Sequence, residues 1–129
     1  MAIRVVRLGS DRTADEGIRL GTVRRPPRGV PKTEFASGNW YDVWYPNLAP
    51  GVDTMKLGQA ADTPAQWTAF TRQYRREMAT PENTHTLALL AALSQQSNFS
   101  VGCYCEDEAH CHRSVLRELL LEHGAKVLP

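Results

Sequence analysis

The chain has 129 residues, 42% hydrophobic and 22% charged, with 15 lysines and arginines against 14 aspartates and glutamates. That length suits one domain around a single core, here residues 1–129, and the near-average composition excludes a disordered or fibrous chain. A net charge of +1 supplies no global field to draw nucleic acid or an anionic membrane, so nucleic-acid binding is not favoured and any anion site must be local.

Ile3 to Val6 is a short β-branched run predicted as a strand, and Gly9-Ser10-Asp11 ends it in a turn. Arg4 and Arg7 interrupt the run, and no later stretch approaches the roughly 20 apolar residues of a membrane span. We therefore expect a cytoplasmic protein with no membrane partner. A second strand is predicted over Ile18 to Val23. Arg24-Arg25-Pro26-Pro27-Arg28-Gly29-Val30-Pro31 follows, where prolines and a glycine hold arginines on a stiff loop. Arg19, Arg24, Arg25, Arg28 and Lys32 make this a basic segment, and Arg24 and Arg28 are its phosphate- or carboxylate-binding candidates.

The aromatic stretch Trp40 to Pro46 is read as irregular, with Trp44 able to line a ligand site and Asp42 as the adjacent acid. Thr63-Pro64 opens a helix, with threonine as N-cap and proline in the first turn. Trp67, Phe70, Tyr74 and Met78 recur along it at helical spacing. That stripe is core, although the Tyr74 hydroxyl has the reach of a pocket rim. Thr80-Pro81-Glu82 starts another helix, running to about residue 96. Phe99 to Cys105 scarcely alternates in polarity, as expected of a strand covered on both faces in a parallel sheet. Ser114 to His123 is helical, closed by Gly124, and Ala125 to Leu128 is a last short strand. This order predicts an α/β fold, a small three-layer sandwich with a mostly parallel central sheet, Rossmann-like.

All three cysteines fall between positions 103 and 111, an arrangement unlike a secreted disulfide scaffold. In open α/β sheets ligands bind where strands end and helices begin, and residues 103 to 114 hold that position. Three chemistries are open there. A helix start at Cys111-His112-Arg113-Ser114 would cradle an anion and lower a thiol pKa, with Arg113 and Ser114 as further ligand contacts. Cys103, Cys105, Cys111 and His112 form a Cys3His set suited to zinc or iron, although a cysteine pair one residue apart is not the usual zinc spacing. Cys105, Cys111 and His112 are also a candidate thiol-based catalytic or redox group. Against all three stands a bland reading, in which Cys103 is core and His112 a buried, satisfied histidine.

The pattern as assembled resembles a family known as domain of unknown function 488. Arg24, Pro27, Arg28 and Gly29 are similar to its Arg-x-x-Pro-Arg-Gly signature, and Asp42, Trp44, Ala49 and Pro50 to its next block. Trp67, Phe70 and Tyr74 match its central helix, and Cys105 with Cys111-His112-Arg113 its cysteine-bearing branch. Val23 and Pro26 stand where that signature usually has an acid and a tryptophan, and other branches keep only a histidine like His112. The resemblance implies a fold and a pocket without an established activity. The expected partner is a small anionic ligand, with nucleotides among the classes that fit, held between Arg28 and the helix start.

Overall fold

The computed structural model describes residues 1–129. Four strands form one parallel sheet: β1 (Ile3–Arg7), β2 (Ile18–Gly21), β3 (Val43–Trp44) and β4 (Phe99–Cys103), in the order β1-β4-β2-β3. The helices are α1 (Val52–Ala60), α2 (Pro64–Met78), α3 (Pro81–Leu93) and α4 (His112–Glu122). The parallel, Rossmann-like α/β arrangement expected from the sequence is thus present. No helix is long and apolar enough to cross a membrane.

β4 lies at the centre, paired with β1 (Val5 beside Val101) and with β2 (Leu20 beside Val101), and every one of its residues is buried. Burial on both faces explains why Phe99 to Cys103 lacks alternation. Phe99 and Val101 join the main core with Ile3, Phe70, Tyr74, Leu87, Leu116 and Leu120, so one hydrophobic cluster unites β1 and β4 with α2, α3 and α4. On the opposite face Ser100 donates to Glu16 Oε2 at 2.7 Å, and Gly102 packs so close to Leu8 that a Cβ there would lie 2.6 Å from its side chain. Glu16 in turn pairs with Arg19, whose side chain is fully buried.

α2 begins as its sequence predicts. Thr63 Oγ1 accepts from Gln66 N, and the Gln66 side chain returns a bond to Thr63 N, a reciprocal capping box with Pro64 in the first turn.

Several expectations are corrected. β2 stops at Gly21 rather than Val23, releasing the Thr22 carbonyl for another use. Within the supposedly irregular aromatic stretch, Val43 and Trp44 pair with Leu20 and Gly21 as a short edge strand. α1, with a glycine in its last turn and weak amphipathicity, adds a helix that the sequence does not signal; Gly51 N and Thr54 Oγ1 anchor it by donating to Glu77 on α2. The final strand shrinks to one bridge between Val127 and Ile3. Arg19 leaves the basic surface segment altogether, because Glu16 neutralises it inside the fold. Asp42 accepts from Arg12 at 2.7 Å and from Arg19 N at 2.8 Å. Burial raises its pKa, but the Arg12 and Arg19 contacts outweigh this and hold the carboxyl below its ordinary range, which makes it a poor general base.

Candidate functional site

After Cys103 the chain turns through Tyr104 and Cys105 into a single 3-10 turn, Glu108–His110, capped by Asp107 Oδ1 accepting from Ala109 N at 3.0 Å. α4 opens directly afterwards. Cys111 is its N-cap in an extended conformation and His112 its first helical residue, which matches the helix start expected at Cys111-His112-Arg113. This local geometry brings the strand end and the helix start face to face.

One ligating atom each from Cys103, Cys111 and His112 lies within 4.8 Å of the others, and all three residues are buried. Cys105, which is exposed, carries its sulfur to 3.9 Å from that of Cys103. No disulfide joins them. The His112 ring is fixed from behind: Nε2 lies 2.7 Å from the Thr22 carbonyl oxygen, and Nδ1 lies 3.7 Å from Cys111 Sγ. Because a carbonyl only accepts, Nε2 carries a proton, and Nδ1 is the ring nitrogen that faces the sulfur. Tyr74 packs edge-on against the imidazole, with ring centroids 5.5 Å apart.

The sulfurs are electrostatically unequal. Hydrogen bonds directed at Cys111 from Cys103 and Cys105 hold its thiol far below the ordinary range; burial opposes this, and His112 adds to the lowering. The same contacts with Cys105 and Cys111, together with burial, push Cys103 up. At Cys105 the bond with Cys103 lowers the pKa, but the Cys111 contact and burial outweigh it and the thiol is raised. These contacts favour the thiolate form at Cys111 over the other two sulfurs, and Arg113 Nε donates to that sulfur at 3.4 Å. The positive end of α4 adds to that stabilisation. The cluster borders a cavity of 320 Å³ that also touches Arg24, Trp67 and Phe70.

The sequence-predicted ligand residues separate in space. Arg24 borders this cavity, but its guanidinium donates to the carbonyls of Pro50 at 3.2 Å and Ala49 at 3.1 Å. Arg28 lines a larger neighbouring cavity. Arg113 is buried and lines neither of the two; besides Cys111 it reaches the Cys105 carbonyl at 2.6 Å, so its fork braces the cysteine loop from within. Ser114 Oγ donates to the Cys111 carbonyl at 2.9 Å. Trp44 Nε1 donates to the Val23 carbonyl at 2.8 Å, and Tyr74 Oη to the Leu48 carbonyl at 2.7 Å. Cys103, Cys105, Cys111 and His112 are brought together, whereas Arg28 and Arg113 do not share a cavity.

Residues missed from the sequence include Thr22, whose backbone orients His112, and Tyr104, which lines both cavities. Tyr104 is flanked by two cysteines, and that position alone was a usable signal. Tyr41 packs with Leu8, Val23, Cys103 and Cys111, and its hydroxyl is buried without a hydrogen-bond partner. Removing an unsatisfied hydroxyl relieves a desolvation penalty, so Tyr41→Phe is expected to leave stability unchanged or raise it by up to about 1–2 kcal/mol. Urea unfolding checks this, and a loss of more than about 1 kcal/mol would show that the hydroxyl is satisfied after all.

No curated protein and no solved structure matches the chain. Residues 3–124 match the family model DUF488-N3a, described as the active DUF488-N3 subclade, and the chain belongs to the DUF488 family.

Proposed function

We propose that the chain is a metal-binding protein in which Cys103, Cys111 and His112 are ligands, Cys105 is the fourth, and zinc, with iron second, is the metal. The observation that carries this reading is the convergence of three buried ligating atoms within 4.8 Å. In a tetrahedral zinc site with Zn–S of about 2.3 Å and Zn–N of about 2.0–2.1 Å, neighbouring ligands are about 3.8 Å apart for two sulfurs and about 3.5 Å for sulfur and nitrogen. The separations of 3.9 Å between Cys103 and Cys105 and 3.7 Å between Cys111 and His112 Nδ1 are close to those edges. The Thr22 carbonyl behind His112 is the outer support that metal-bound histidines ordinarily have. Three unbridged thiols also fit a reducing compartment, the cytoplasm.

Cys105 is exposed and borders the cavity. It is thus the ligand most readily exchanged, and three fixed ligands with one exchangeable position is the pattern of catalytic zinc sites rather than closed structural ones. The description of the subclade as active agrees with this. A bound ion would supply a Lewis acid facing the cavity. The chain's own residues hold the Cys111 charge through Arg113, fix the His112 tautomer through Thr22, and exclude water on the side of Phe70 and Tyr74.

A second reading makes Cys111 a thiolate nucleophile. The Arg113 contact and the depressed thiol favour it. Elemental analysis of protein purified without chelator separates the two. About one equivalent of zinc or iron is expected, and less than about a tenth would sink the metal reading. Fast alkylation of a single thiol below pH 7 in metal-free protein would then speak for the nucleophile.

A further inference from the structure

Next to the cysteine cavity lies a larger one of 890 Å³ that the metal site does not use. The end of β1 contributes Arg7 and the turn after it Ser10, the proline-stiffened loop contributes Arg25 and Arg28, and Trp40 and Tyr104 form a wall. The two rings meet edge to face, with centroids 6.0 Å apart. Tyr104 Oη donates to the Arg25 carbonyl at 2.8 Å, tying the arginine loop to that wall.

Charge balance is what singles this cavity out. No carboxylate lines it. Arg25 and Arg28 are exposed and take part in none of the chain's salt bridges. Arg7 has one loose partner, Glu106 at 3.6 Å, and donates to the Tyr104 carbonyl at 3.1 Å. Three guanidinium groups lining one space with no carboxylate among them, in a protein whose net charge is only +1, make it a local positive site suited to a multivalent anion. Guanidinium forks match phosphate oxygens in particular. An inorganic phosphate would leave most of the cavity unfilled, since its volume is that of sites for whole organic ligands of about 300–1,000 Å³. The aromatic wall supplies what such a ligand needs beside its phosphates, aromatic surface for a ring to pack against.

We infer that this cavity binds a nucleoside phosphate, with its phosphates on Arg7, Arg25 and Arg28 and its base against Trp40 and Tyr104. Arg25, Met55, Gln59 and Tyr104 line both cavities, so the ligand lies beside the cysteine cluster, and nucleoside phosphates are the substrate class for chemistry there. The inference stands on the arginines and the aromatic wall and does not depend on the metal.

Calorimetry on the full chain in low salt tests it, with ADP, inorganic pyrophosphate, adenosine and a 5′-phosphorylated trinucleotide as probes. ADP or the trinucleotide is expected to bind at least about tenfold more tightly than pyrophosphate or adenosine, and Arg25→Ala and Arg28→Ala should each weaken that binding about tenfold or more. Whichever of ADP and the trinucleotide binds more tightly identifies the source, a free nucleotide or the end of a strand. Equal affinity for ADP and pyrophosphate, no binding by any probe, or full affinity in both variants would overturn the inference. Both side chains are exposed and lack acidic partners, so the variants should keep the parent melting temperature, which a thermal scan verifies.

Discussion

Replacing Arg19 by alanine is expected to lower unfolding stability by about 3–5 kcal/mol, because it leaves the Glu16 carboxylate buried without its counter-charge. The guanidinium is fully buried. It donates to Glu16 through Nε at 2.8 Å and through a second nitrogen at 3.0 Å, and to the carbonyls of Ser10 at 2.9 Å and Asn39 at 2.8 Å. These bonds join the turn after β1, the start of β2 and the segment leading to β3, which together cover one face of β4. Replacing both partners by apolar residues of similar size, Glu16→Leu with Arg19→Met, should cost clearly less than the sum of the single changes, since no orphaned charge remains. A double-mutant cycle by urea unfolding measures this. An additive cycle would mean that the pair is not energetically coupled.

The same pair predicts a pH dependence. Burial raises the Glu16 pKa, but the bonds from Arg19 and then Ser100 outweigh it, and the carboxyl is held below its ordinary value. A carboxylate with a depressed folded pKa adds stability that is fully present above its unfolded pKa of about 4.3 and is lost as pH falls through the folded value. The stability gap between the parent and Glu16→Gln should therefore be constant near neutrality and narrow below about pH 4. A gap that does not change with pH would exclude the ionised form.

The sequence disclosed most about this molecule where one force acted alone. α2 is legible because its cap and its apolar stripe agree, with Thr63 and Pro64 at the start and Phe70, Tyr74 and Met78 buried along one side. β4 is legible because a strand buried on both faces cannot alternate. α1 escapes because its stability is tertiary: Glu77 of α2 supplies the acceptor for Gly51 N and Thr54 Oγ1 that a local cap would otherwise provide. Arg19 is misplaced for a similar reason. An arginine among other arginines looks like solvated charge until the fold sets Glu16 against it. At the candidate site the cysteines and His112 were identifiable by residue type and by their place between strand and helix. Arg113 was identifiable too, but the direction of its side chain was not. Its residue type and position suit an external anion, whereas its partners are the Cys111 sulfur and the Cys105 carbonyl. The charge that it answers comes from the chain itself.

That internal charge leads to the sharpest expectation for the metal site. Cys111→Ser should abolish stoichiometric metal, because it removes a buried thiol at the centre of the proposed ligand set, the one whose thiolate form its contacts favour. His112→Ala should act in the same direction. Cys105→Ser should retain metal with an affinity lowered about tenfold to a hundredfold, since its position is exposed and solvent can take its place. The proposed ligands join the end of β4 to the start of α4, so metal binding there would be linked to folding. Chelation should lower the melting temperature of the parent and of Cys105→Ser, while Cys111→Ser should melt at one temperature with or without chelator. Metal analysis beside paired thermal scans reads all of this, and Arg113→Lys adds a finer test. Lysine keeps the charge but cannot reach the sulfur and the Cys105 carbonyl with one rigid fork. Metal affinity in that variant should fall even though all four ligands remain. Retention of full affinity there would show that the ligands alone hold the ion and that Arg113 only packs.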